Sequence, residues 1–93
     1  MKDLHYDPEK TIRTTELAIE KARERIELLE NDLENRGKFR EKNKDGVYEI
    51  SEAAKKDIEK LKELIEWNRE FIATHEEDIK KYEKDLEEIK KGL

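Results

Sequence analysis

The sequence predicts an all-α fold, an antiparallel coiled-coil hairpin of two long helices joined by a basic loop. Apolar residues recur at helical spacing in both halves of the chain, and acidic and basic residues alternate closely between them. Glycine and proline fall only near the ends of these periodic segments. We therefore expect a single domain over residues 1–93, beginning with an N-terminal segment over residues 1–7.

The first helix is predicted over residues 8–36. Asp7 is a suitable N-cap, and Pro8 suits the first helical position. The helix dipole favours the acidic Glu9 in the first turn. Gly37 suits the C′ position after the helix. Heptad positions a and d are Ile12, Thr15, Ile19, Ala22, Ile26, Leu29 and Leu33.

The second helix is predicted over residues 51–91, with Ser51 as its N-cap and no glycine or proline before Gly92. Its a positions are Ile58, Ile65, Ile72, Ile79, Leu86 and Leu93, and its d positions are Ala54, Leu61, Asn68, His75, Tyr82 and Ile89. Polar residues in a coiled-coil core usually specify register or partner, which is the role we expect for Asn68 and His75.

An antiparallel register that brings each a position against a d position pairs Leu33 with Ala54 and Ala22 with Ile65. A shift of one heptad also alternates a with d, but it requires a different length of connection. The first register leaves residues 80–93 beyond the end of helix 1, about 20 Å of helix at 1.5 Å per residue.

Several apolar residues lie outside this single a/d core. We expect partner contacts at two sets on helix 2, which are Leu64, Trp67 and Phe71 beside the core and Tyr82, Leu86 and Ile89 at its free end. Leu17 and Leu28 form a second stripe on helix 1. These stripes predict a homodimeric four-helix bundle, unless Leu4 and Tyr6 fold over the Trp67 stripe within one chain.

The connection over residues 37–50 is longer than most helix–helix loops. Asp45-Gly46 is a turn signal, and Val47 and Tyr48 favour extended backbone, so a short β-hairpin and a disordered loop are both compatible with it. The basic residues of this tip are Arg36, Lys38, Arg40, Lys42 and Lys44. Such a tip either contacts a phosphate backbone or acidic protein surface, or is simply solvated.

The sequence offers little for catalysis or metal binding. It has no cysteine, no His-x-x-x-His or Glu-x-x-His spacing, and no glycine-rich phosphate loop. We expect no enzyme activity, cofactor or metal. No apolar run reaches the length of a bilayer span, and the start of the chain lacks a signal peptide, so we expect a cytoplasmic protein without membrane contact. The net charge of -5 disfavours nucleic acid, except through the basic tip.

These observations favour a non-enzymatic protein–protein interaction module that presents a coiled-coil surface. One alternative is a small acidic inhibitor or regulator from a phage or mobile element, which blocks a nucleic-acid-binding protein by acidic mimicry. Another is nucleic-acid binding through the basic tip.

Overall fold

A computed structural model describes residues 7–92, which form two long antiparallel helices connected by a small β-hairpin. The elements are α1 (Pro8–Lys38), β1 (Glu41–Lys42), β2 (Tyr48–Glu49) and α2 (Glu52–Lys91). Together they make a rod with dimensions of 75 × 19 × 17 Å. The all-α hairpin predicted from the sequence is confirmed.

Both helices begin at the predicted N-caps. The Asp7 carboxylate accepts hydrogen bonds from the backbone N–H groups of Glu9 and Lys10, at 3.1 and 3.4 Å. The Ser51 hydroxyl accepts one from the backbone N–H of Ala54 at 3.1 Å. These bonds satisfy N–H groups that have no partner within the helix.

The C-terminal end of α1 differs from the prediction. The helix continues through Gly37 to Lys38, and the capping residue is Phe39 in extended backbone. An ion pair of 3.1 Å between Lys38 and Glu34 spans the last turn, and the Arg40 guanidinium donates to the Gly37 carbonyl oxygen at 2.6 Å. The C′ position predicted for Gly37 is wrong, because Arg40 rather than a left-handed glycine satisfies this terminal carbonyl.

The connection forms the β-hairpin that the sequence allowed. Its strand pairs are Glu41 with Glu49 and Lys42 with Tyr48. At the turn, the Asn43 side-chain oxygen accepts from the backbone N–H groups of Asp45 and Val47, at 2.9 and 3.0 Å. Gly46 has a φ of 81°, a conformation that costs glycine little. The local turn chemistry therefore specifies this tip.

The core is narrow and lies along the line where the helices meet. Ile19, Ala22 and Ile72 form its buried cluster, with Ile26 and Ile79 packed against it. The other buried apolar residues of the described chain, apart from Pro8, are Leu61 and Ile65. A single core of this width leaves most of the helical surface exposed.

The helices pair one heptad away from the predicted register. Ala22 lies against Ile72 rather than Ile65. On one side of the core, Arg23 forms an ion pair with Glu76 at 3.3 Å, and Glu30 forms one with Arg69 at 3.8 Å. The register pairing Ala22 with Ile65 is therefore wrong.

The flanking charges favour the observed register over the predicted one. Both place a positions against d positions, but the predicted one brings Arg23 opposite Arg69 and Glu16 opposite Glu76 at the flanking e positions. In the structure Arg69 faces Glu30, and Arg23 faces Glu76. Each exposed ion pair contributes little to stability, but these flanking contacts are repulsive in the predicted register and attractive in the observed one, while the two cores are otherwise similar.

The register also changes the free end of α2. Glu9 and Ile12 line one groove together with Glu83 and Leu86, so α1 accompanies α2 as far as Leu86. The prediction that all of residues 80–93 extend beyond α1 is wrong, because the observed register brings α1 alongside residues 80–86.

Candidate interaction surface

The two broad sides of the helical hairpin differ in chemistry. One side is formed by the b and e positions of both helices, and every one of them is charged except Gly37 and Ala73. The ion pairs that join α1 to α2 through Arg23 and Arg69 lie on this side. We call these b and e positions the charged face.

The opposite side is formed by the g and c positions and carries large exposed apolar residues. We call these residues the apolar face, and they are Leu28 at 70% exposure, Leu64 at 38%, Trp67 at 58% and Phe71 at 41%. The sequence predicted partner contacts for the last three. Leu28, at a c position, joins them because the g and c positions of antiparallel helices lie on the same side of the core, whereas Leu17 is at an outward f position.

The two polar core residues of α2 support this face. Asn68 donates to the Leu64 carbonyl oxygen at 2.7 Å and accepts from Arg25 at 3.5 Å. His75 Nδ1 lies 2.9 Å from the Phe71 carbonyl oxygen, and the His75 and Phe71 rings stack with centroids 3.9 Å apart. Each side chain therefore contacts the backbone carbonyl oxygen of an apolar-face residue one turn earlier on α2. Their expected role in register or specificity stays a prediction.

The remaining expected partner contacts lie near the end of α2. Tyr82 and Leu86 are half-buried, Leu86 in a groove that it shares with the first turns of α1, and Ile89 is 47% exposed. These residues lie at core positions rather than on the apolar face. The structure thus separates them from Leu64, Trp67 and Phe71.

Charged residues flank the apolar face on α2, a pattern that the sequence reasoning did not identify. Asp57 and Lys60 precede it at g and c positions, and Asp78 and Lys81 follow it at the same positions. Reading g and c as a second heptad repeat would have revealed this pattern. Each end of the face thus carries one acid and one base.

Most of the basic tip makes contacts within the hairpin. Arg36 bonds to Asp32 and Asp57, at 3.1 and 3.0 Å. Of the other four, Lys38 pairs with Glu34, and Arg40 donates to the Gly37 and Phe39 carbonyl oxygens. The side chains of Lys42 and Lys44 have no hydrogen bond or ion pair within the described residues. The tip therefore presents fewer free cations than its composition indicates.

Apolar side chains are also exposed at this tip. Phe39 and Val47 are each 57% exposed, and Tyr48 is 67% exposed. The strand register puts Tyr48 beside Lys42 on one side of the β-hairpin.

The described residues 7–92 contain no group of three His, Cys, Asp or Glu side chains arranged to hold a metal ion. Within the same range, neither helix is long and apolar enough to cross a bilayer. Comparisons with protein-family models, curated proteins and solved structures find no match to this chain.

Proposed function

We propose that this chain is a non-enzymatic protein–protein interaction module whose apolar face binds a second copy, forming a homodimeric four-helix bundle. The observation that carries this proposal is the contrast between the two broad sides. One is charged at nearly every position, while the other exposes Leu28, Leu64, Trp67 and Phe71. Exposed apolar patches of this kind mark association surfaces.

The shape of the helical hairpin supports association along its length. A rod 75 Å long and 19 Å wide offers a side larger than the roughly 800 Å² that each partner buries in a standard protein interface. Its core is a single row of apolar layers, so a hairpin alone buries little apolar surface. Pairing two apolar faces adds a second core between the copies.

The aromatic residues supply the anchors of this interface. Trp67 and Phe71 lie one helical turn apart on α2, and Phe71 is held by its stack on His75. Aromatic side chains that become fully desolvated tend to dominate association energy. In the bundle, the charged faces point outward, where they remain hydrated and available to other proteins.

Light scattering coupled to size exclusion tests the proposal over a range of concentrations. The wild-type chain is expected to be a dimer, and Leu64→Glu is expected to be a monomer, because it places a carboxylate in the apolar face. Leu17→Glu is the matched control, since Leu17 is 51% exposed but lies at an f position away from that face. It should remain dimeric.

Circular dichroism of both variants separates loss of association from loss of folding. A monomeric wild-type chain, or equal dissociation by both substitutions, would contradict association through the apolar face.

A further inference from the structure

The g and c positions of α2 form a second heptad repeat, and its section from Asp57 to Lys81 has a symmetric charge pattern. In chain order this section reads Asp57, Lys60, Leu64, Trp67, Phe71, Thr74, Asp78 and Lys81; Ala53 precedes it, and Asp85 and Glu88 follow it at the same positions. Apolar residues occupy the middle, and an acid followed by a base occupies each end. Reversing the direction of the helix converts each acid–base order into its opposite.

We infer that the two copies pack α2 against α2 in antiparallel orientation, with the charges at the ends of the apolar face selecting that orientation. The inference rests on the proposed function, and names the geometry of the dimer and the residues that specify it. In this alignment the g and c positions take the places of a and d, so each g position meets a c position of the partner, as a meets d in an antiparallel coiled coil. The interface is isologous, so every contact occurs twice.

The alignment matches opposite charges at both ends of this section and the two aromatic residues at its middle. It puts Asp57 against the partner's Lys81, Lys60 against the partner's Asp78, Trp67 against the partner's Phe71, and Leu64 against the partner's Thr74. The side chains of Lys60, Asp78 and Lys81 make no hydrogen bond or ion pair within residues 7–92, so these charges are available for these contacts. Asp57 keeps a second oxygen beside the one that bonds to Arg36.

Other orientations match the charges less well. Parallel packing of α2 on α2 brings each acid against an acid and each base against a base. Packing α2 on the partner's α1 brings Asp78 and Lys81 against Thr14 and Thr11, which leaves both charges without an opposite partner. Like charges placed across an interface are strongly unfavourable, so they discriminate between alignments.

A pair of charge variants tests whether these residues specify the interface. The acidic variant is Lys60→Glu with Lys81→Glu, and the basic variant is Asp57→Lys with Asp78→Lys. Each alone is expected to dimerise at least about tenfold more weakly than the wild-type chain, because like charges then meet at both ends. An equimolar mixture of the two should restore dimers that contain one copy of each.

The matched control is Lys56→Glu with Lys84→Glu, which changes the net charge as the acidic variant does but at outward f positions. It should dimerise like the wild-type chain. Equal weakening of the control and the acidic variant would mean that net charge acts rather than these contacts, and would overturn the inference.

Orientation is measured separately by pulsed electron paramagnetic resonance on Lys56→Cys carrying a nitroxide, since the chain has no native cysteine. Antiparallel α2 helices place the two labels about 40 Å apart along the axis, at 1.5 Å per residue. Bundles with both tips at one end place them about 25 Å apart, roughly two helix diameters. The short distance in a dimer overturns the alignment but not the proposed function, whereas a wild-type monomer overturns both.

Discussion

Arg36 has a structural role between the two helices that its sequence neighbours do not indicate. It belongs to the basic tip by sequence, yet its guanidinium bridges Asp32 on α1 and Asp57 on α2. The two carboxylates lie at g positions on the same side of the core, so they would repel each other without it. Their proximity follows from the register, which explains why the sequence alone indicated a free cation.

We expect Arg36→Gln to lower the free energy of unfolding by about 0.5–1 kcal/mol, because both ion pairs are exposed and the substitution leaves two facing carboxylates. Urea denaturation at low salt measures this loss. Lys38→Gln is the control, since its partner Glu34 lies within the same helix and such a pair contributes about 0.3–0.5 kcal/mol. Equal losses in the two variants would contradict the bridging role.

The helices could be predicted from the sequence, but their register could not. Local signals define each helix, because heptad spacing and the N-caps Asp7 and Ser51 act within a few residues. Register depends on contacts between helices, and sliding by one heptad preserves every a-to-d layer. Two features distinguish the two registers. One is the set of flanking charges such as Arg23 and Glu76, and the other is a connection long enough to form a β-hairpin.

Methyl-labelled nuclear magnetic resonance tests the register without a substitution. We expect a nuclear Overhauser effect between the Ala22 methyl group and a methyl group of Ile72, since both belong to the buried cluster. Contact of Ala22 with Ile65 in its place would support the predicted register and contradict the observed one. Spectra of the monomeric Leu64→Glu variant should show the same Ala22–Ile72 contact, because this contact lies within one chain.

At the scale of the whole molecule, the helical hairpin is a two-sided rod. The sequence identified Leu64, Trp67 and Phe71 as exposed beside the core, because their spacing along one helix is enough to show it. The sequence could not show that Leu28 lies on the same side as these three residues or that Leu17 does not. That requires knowing which sides of the two helices lie together. The sequence also missed the charges around the apolar face, because they matter only in relation to a second copy.

The fluorescence of Trp67, the one tryptophan in the chain, tests most directly whether a second copy covers the apolar face. In a dilution series we expect short-wavelength emission and weak acrylamide quenching at high concentration, changing to long-wavelength emission and strong quenching as the dimer dissociates. The Leu64→Glu variant should show the second behaviour at every concentration. Wild-type emission and quenching that match those of an exposed tryptophan throughout, at concentrations where light scattering reports a dimer, would contradict the proposed interface.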